Sequence, residues 1–151
     1  MNTRVSLNNE RGFQLIELFT ALVIIGVLAA YGYPKLALAL KKGNVRAAVS
    51  AVIGMHARTR AVAVARGKAA KLVLTSGNLK IITVNPVTAA TLVLTTQNIA
   101  SQYGVTITPS RDTLKFDPRG LGTEGGATTV IVSNSALTDT VNITAIGRIN
   151  H

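Results

Sequence analysis

Cysteine is missing from all 151 residues, which removes disulfides, thiolate metal sites and a cysteine nucleophile from consideration. Any folded part must be held by packing and hydrogen bonds. Tryptophan is also absent, and histidine occurs only as His56 and the terminal His151. There is no Gly-x-Ser-x-Gly elbow, no Walker loop and no His-Glu-x-x-His. The carboxylates Asp112, Asp117, Glu124 and Asp139 fall singly on turn-like segments rather than in pairs. These gaps argue against an enzyme, and no catalytic residue, metal ligand or cofactor is expected. Acidic residues are scarce as well: none lies between Glu17 and Asp112, while ten basic residues run from Lys35 to Lys80 and the net charge is +10. Such a block suits acidic partners such as lipid head groups, nucleic acid or carboxylates of neighbouring subunits.

What the chain does have is a concentrated apolar run. Leu18 to Tyr33 contains no charge, and the run extended back to Phe13 is interrupted only by Gln14, Glu17 and Thr20. A helix over Phe13 to Tyr33 would rise about 30 Å, one hydrocarbon thickness. An ordinary secretory signal, with Arg4 and Arg11 as its basic region and cleavage near Ala29 or Ala30, is the simplest alternative. It leaves Glu17 unexplained, because an ionised carboxylate in an apolar helix costs several kcal/mol, ~3 or more, without a partner. Cleavage between Gly12 and Phe13 would create that partner, since the new α-amino group of Phe13 would be positive and one helical turn from Glu17. Between subunits, the amine of one helix meeting the carboxylate of another would fix axial register.

Gly12-Phe13-Gln14-Leu15-Ile16-Glu17-Leu18 closely resembles the prepilin processing motif of type IV pilins, a polar leader ending in Gly, then Phe, with Glu as the fifth mature residue. Gly26 and Pro34 also stand where such pilins commonly carry Gly and Pro; Gln14 departs from the more usual Thr. The resemblance implies cleavage after Gly12 and N-methylation of Phe13 by a prepilin peptidase. It also implies a single-pass stage in the bacterial inner membrane with the C-terminal domain periplasmic, then transfer by an inner-membrane assembly platform into a filament with other pilins or pseudopilins. Phe13, Glu17, Gly26 and Pro34 are the expected assembly residues. Gly26, through backbone entropy, and Pro34, through its missing N–H, predict a kink or local unwinding.

Beyond Pro34 the helical period continues through Val45, Val49, Val52, His56, Thr59 and Ala63, with Gly67 as its stop. Lys35, Lys42, Arg46 and Arg60 fall beside that apolar stripe, and their plain reading is a solvated face. From Lys71 the period changes to two. Leu72–Leu74 and Ile81–Ile82 flank the hairpin signal Ser76-Gly77-Asn78, and short strands follow at 91–95, 105–108, 114–116, 128–133 and 140–145. Asp117-Pro118-Arg119-Gly120 reads as a type I turn opening a glycine-rich, mobile loop. The predicted class is α+β: a long N-terminal helix packed on one face of a C-terminal antiparallel sheet. The boundaries are a leader at 1–12, a transmembrane and assembly helix at 13–34, an amphipathic half at 35–67 and a β domain at 68–151.

The run from Ala61 to Leu74, the Phe116-to-Gly120 turn and Ile146-Gly147-Arg148 resemble the GspH and FimT subfamily of minor pilins and pseudopilins. That resemblance implies a structural subunit of a type IV pilus or a type II secretion pseudopilus. The alternatives are a competence pilin that captures DNA and an abundant shaft subunit. Arg111, Lys115, Arg119 and Arg148 are the candidate DNA contacts. Some members of that subfamily carry Gly-Arg-x-Arg for the purpose, whereas Gly147-Arg148-Ile149-Asn150 lacks the second Arg.

Overall fold

The computed structural model describes residues 10–85, 87–123 and 125–150, with side chains from residue 15 onward. The leader through residue 9 and the side chain of Phe13 lie outside the described residues, as do Glu124 and His151. The chain divides into two units, 1–39 and 40–151. Helix α1 (Glu10–Arg66) begins in the first and ends in the second.

In the first unit every described side chain is exposed except half-buried Ala37. The helix runs without interruption through Gly26 and Pro34, so the expected unwinding does not occur. Proline removes only one ladder bond, to the carbonyl of Ala30, and the flanking Leu and Ala residues favour helix strongly. Thr20 satisfies its hydroxyl locally, donating from Oγ1 to the Ile16 carbonyl at 2.7 Å, as a polar side chain in an apolar helix must.

In the second unit the stripe Val45, Val49, Val52, His56, Thr59 and Ala63 is buried throughout, as its spacing predicts. Ala48 and Met55 widen it. The helix stops at Gly67, whose φ of 56° is left-handed. Gly67 N donates to Val64 O at 3.2 Å and Lys68 N to Ala63 O at 3.3 Å, the Schellman pattern that closes a helix C-terminus.

The remaining elements are β1 (Ala70–Leu74), β2 (Asn78–Val84), β3 (Thr91–Asn98), α2 (Ile99–Tyr103), β4 (Thr106–Pro109), β5 (Thr113–Phe116), β6 (Thr128–Ser133), β7 (Thr138–Ile143) and β8 (Ile149–Asn150). They form two four-stranded sheets, β3-β2-β1-β5 and β4-β6-β7-β8, antiparallel at every pairing. This corrects the single sheet expected from alternation, a pattern that shows which side of a strand is buried but not which strands are neighbours. The short helix α2 was also unforeseen. Asn98 caps it by accepting from Ser101 N at 2.8 Å, and Gly104 at φ 61° ends it. Burial alternates strictly along β1, β2 and β6. The inward residues of both sheets, including Leu72, Ile81, Phe116, Val130 and Val141, join the α1 stripe in one apolar cluster.

Candidate functional site

The residues expected to act in assembly lie on the bare segment of α1. From Leu15 to Leu28 its large apolar side chains are each more than half exposed, and this is a helix long and apolar enough to cross a membrane. Glu17 stands among them, exposed, with no hydrogen bond or ion pair among the described residues. A Cβ built on Gly26 would meet nothing within 4 Å. Among the described residues no packing calls for glycine there, although it costs a helix ~1 kcal/mol relative to alanine. Pro34 is likewise exposed.

A second constellation lies within the 40–151 unit. Arg60 is half-buried, not part of a solvated face. Its Nε donates to the Gly120 carbonyl at 2.8 Å and its Nη1 to the Gly147 carbonyl at 3.4 Å. One helical side chain thus holds both the 117–120 turn and the turn between β7 and β8. The turns are shaped to receive it. Gly120 and Gly147 have φ of 78° and 81°, which side chains with a Cβ adopt only at a cost. A Cβ would lie 3.0 Å from Val64 Cγ2 at Gly120 and 3.0 Å from Phe116 Cε1 at Gly147. Phe116 fills the space beneath, meeting the His56 ring edge-on at 5.1 Å.

Asp117 organises the first turn. Its Oδ1 accepts from Arg119 N and from Leu121 N, each at 2.9 Å, and Gly120 N donates to Asp117 O at 2.8 Å, the bond of the expected type I turn. The hydrogen bond from the Leu121 amide, and next to it those from Arg119, hold the Asp117 carboxyl below the ordinary range. The chain then stays tied: Phe116 bridges to Gly122, and Thr123 N donates to Lys115 O at 3.0 Å. The start of this loop is therefore bonded to β5.

The four candidate DNA contacts are distributed along this region. Arg119 is exposed and ion-paired with Asp117, Nε to Oδ2 at 2.9 Å. Arg148 is exposed in the turn after Gly147. Lys115 lies on β5 opposite Lys71 of β1. The Arg111 guanidinium approaches Gly126, where a Cβ would come 2.7 Å from Nη2. Arg111 and Lys115 are each engaged in contacts of their own. Among the described residues no group of histidines and carboxylates could hold a metal ion.

A long helix, apolar and bare at first and then carrying a layer of antiparallel strands, is the architecture the pilin resemblance implies, and the likeness is borne out in the fold. The chain is similar to the crystal structure of the type IV minor pilin FimU of Pseudomonas aeruginosa strain PAO1, with a TM-score of 0.59 at 16% identity, covering 72% of this chain and 88% of that one. At that identity the likeness concerns the fold. No protein-family model and no curated protein matches the sequence.

Proposed function

We propose that this chain is a pilin-like structural subunit, a minor pilin or pseudopilin, anchored by α1 in the inner membrane and then packed through α1 into a pilus or type II secretion pseudopilus. The observation that carries this reading is the bare apolar segment of α1, with a Glu17 that has no partner among the described residues and a glycine at 26 whose Cβ position meets none of them within 4 Å. A helix in that state needs hydrocarbon or other helices around it. The fold shared with a minor pilin supports the same conclusion. On this reading a prepilin peptidase cleaves after Gly12 and methylates Phe13, and the resulting amine neutralises Glu17 of a neighbouring subunit. A second reading, sequence-independent DNA contact through Arg111, Lys115, Arg119 and Arg148, ranks behind this one, because Arg119 is ion-paired with Asp117 and Gly147-Arg148 stands without a second arginine.

Mass spectrometry of the mature N-terminus, with the full chain co-expressed with a prepilin peptidase, tests the proposal. The expected product begins at an N-methylated Phe13, and Gly12→Leu should leave the precursor uncut. A product beginning at Ala30 or Tyr31 would instead establish an ordinary secretory signal and remove the helix from the mature protein.

A further inference from the structure

Backbone groups at the edge of a sheet are left without partners, and proteins usually blunt such edges with short strands, proline, charge or cover. Three of the four sheet edges here are treated that way. β8 has two residues, and β4 has four and ends in Pro109. β5 is covered where Phe116 bridges to Gly122 and where Thr123 N donates to Lys115 O.

The fourth edge, β3, differs. It is eight residues long, Thr91-Leu-Val-Leu-Thr-Thr-Gln-Asn98, with no charge and no proline. It lies at the end of its sheet, beyond β2. Among the described residues no backbone group on its outer side bonds to another segment. Leu92 and Val93 are 37% and 53% exposed, and beside them Val87, in the β2–β3 turn, is 89% exposed. One bulge, at Leu94, interrupts the pairing with β2 and leaves Thr95–Asn98 in regular register. It re-aims the edge without filling it.

We propose that the free edge of β3 is a strand-addition site for an extended segment of another protein, apolar at one end and acidic at the other. The unpaired N–H and C=O row dictates an extended backbone, the recognition mode in which main-chain bonds give affinity and alternate side chains give specificity. The side chains set the polarity of the partner. At one end Leu92, Val93 and Val87 offer apolar contact. At the other Thr96 pairs with Lys80, so an added residue beside Thr96 stands two strand spacings, about 10 Å, from the Lys80 backbone. A glutamate and the lysine can meet across the small threonine. No acid within the sheet competes, since 70–98 contains Lys71 and Lys80 and no Asp or Glu. A second copy of β3 fits less well. An antiparallel pair centred on the strand would set Leu92 and Val93 against Gln97 and Thr96, leaving the apolar ends unmatched. The site is independent of the assembly role of α1.

The test uses the full chain in detergent micelles with a capped eight-residue peptide of alternating valine and threonine bearing two glutamates near one end. Hydrogen exchange of amides 91–98 should slow on addition. An N-methylated version of the peptide should give no protection, a version with lysines in place of the glutamates should bind more weakly, and Val93→Asp should weaken binding about tenfold, as an inserted edge charge does. Protection at β4, β5 or β8 instead, equal binding of the N-methylated peptide, or equal binding of the lysine peptide would each overturn the proposal. Concentration-dependent protection of 91–98 without peptide would assign the edge to a second copy.

Discussion

His56 is 2% exposed, and its Nε2 has no hydrogen-bond partner among the described residues. Burial first, and then the positive charge of Arg60, lower its pKa from 6.5 to about 4. The fold thus holds the imidazole neutral, edge-on to Phe116. The unfolded chain binds a proton between pH 6.5 and 4 and the folded chain does not, so stability is full above the unfolded value and falls as the pH drops toward 4. A shift of this size corresponds to a loss of about 3 kcal/mol at the acid end. Protection factors of the β1 and β5 core amides, from hydrogen exchange of the full chain in micelles corrected for the intrinsic pH dependence, should fall over that window. His56→Leu should flatten the profile between pH 6.5 and 4, and an unchanged profile in that variant would assign the acid sensitivity elsewhere. At this scale the sequence was unevenly legible. The burial of His56 followed from helical spacing. Arg60 could not be read, because its partners are carbonyls, which every residue has, brought from turns 60 and 87 positions away.

At the scale of elements, β4 and β5 show where sequence reading ends. Only Ser110, Arg111 and Asp112 separate them, yet β4 pairs with β6 and β5 with β1, in different sheets. Short connections usually join neighbours, so nothing local marks the crossing, whereas strand existence followed directly from alternation. The crossing is tied to both sheets, by Leu74 N donating to Asp112 O at 2.7 Å and Ser110 N to Thr129 O at 2.8 Å, and at the far end of β5 Phe116 packs under the turn at Gly147, which Arg60 also reaches. Gly147→Ala should therefore destabilise the chain by about 2 kcal/mol, combining a left-handed backbone with a crowded Cβ. Gly125→Ala, with open space around its Cβ, should stay within about 0.5 kcal/mol of wild type. Denaturant unfolding in micelles compares the two. Equal effects would mean that the 147 turn adapts and that the clasp is not a structural determinant.

For the whole molecule, the contrast is between a unit with a shared apolar core and a helix segment with no cover of its own. On the assembly reading, the exposed face from Leu15 to Leu28 is satisfied twice, first by lipid and then by other helices, and Glu17 is what distinguishes those two environments. In hydrocarbon the carboxylate is a cost of several kcal/mol, ~3 by insertion scales. Against the amine of a processed Phe13 it becomes a directional contact in a low dielectric, where charge pairs are strongest. Glu17→Val should consequently leave membrane insertion intact, since an apolar residue only lowers its cost, while reducing recovery in sheared filaments at least about tenfold, the effect of ~1.4 kcal/mol per contact. Glu17→Gln separates charge from polarity. If the contact is an ion pair, the glutamine variant should assemble nearly as poorly as valine; if a neutral hydrogen bond suffices, it should assemble almost normally. Measuring the fraction of each variant in membranes and in sheared filaments distinguishes these outcomes, and wild-type incorporation of Glu17→Val would show that the apolar surface alone sets the register of packing.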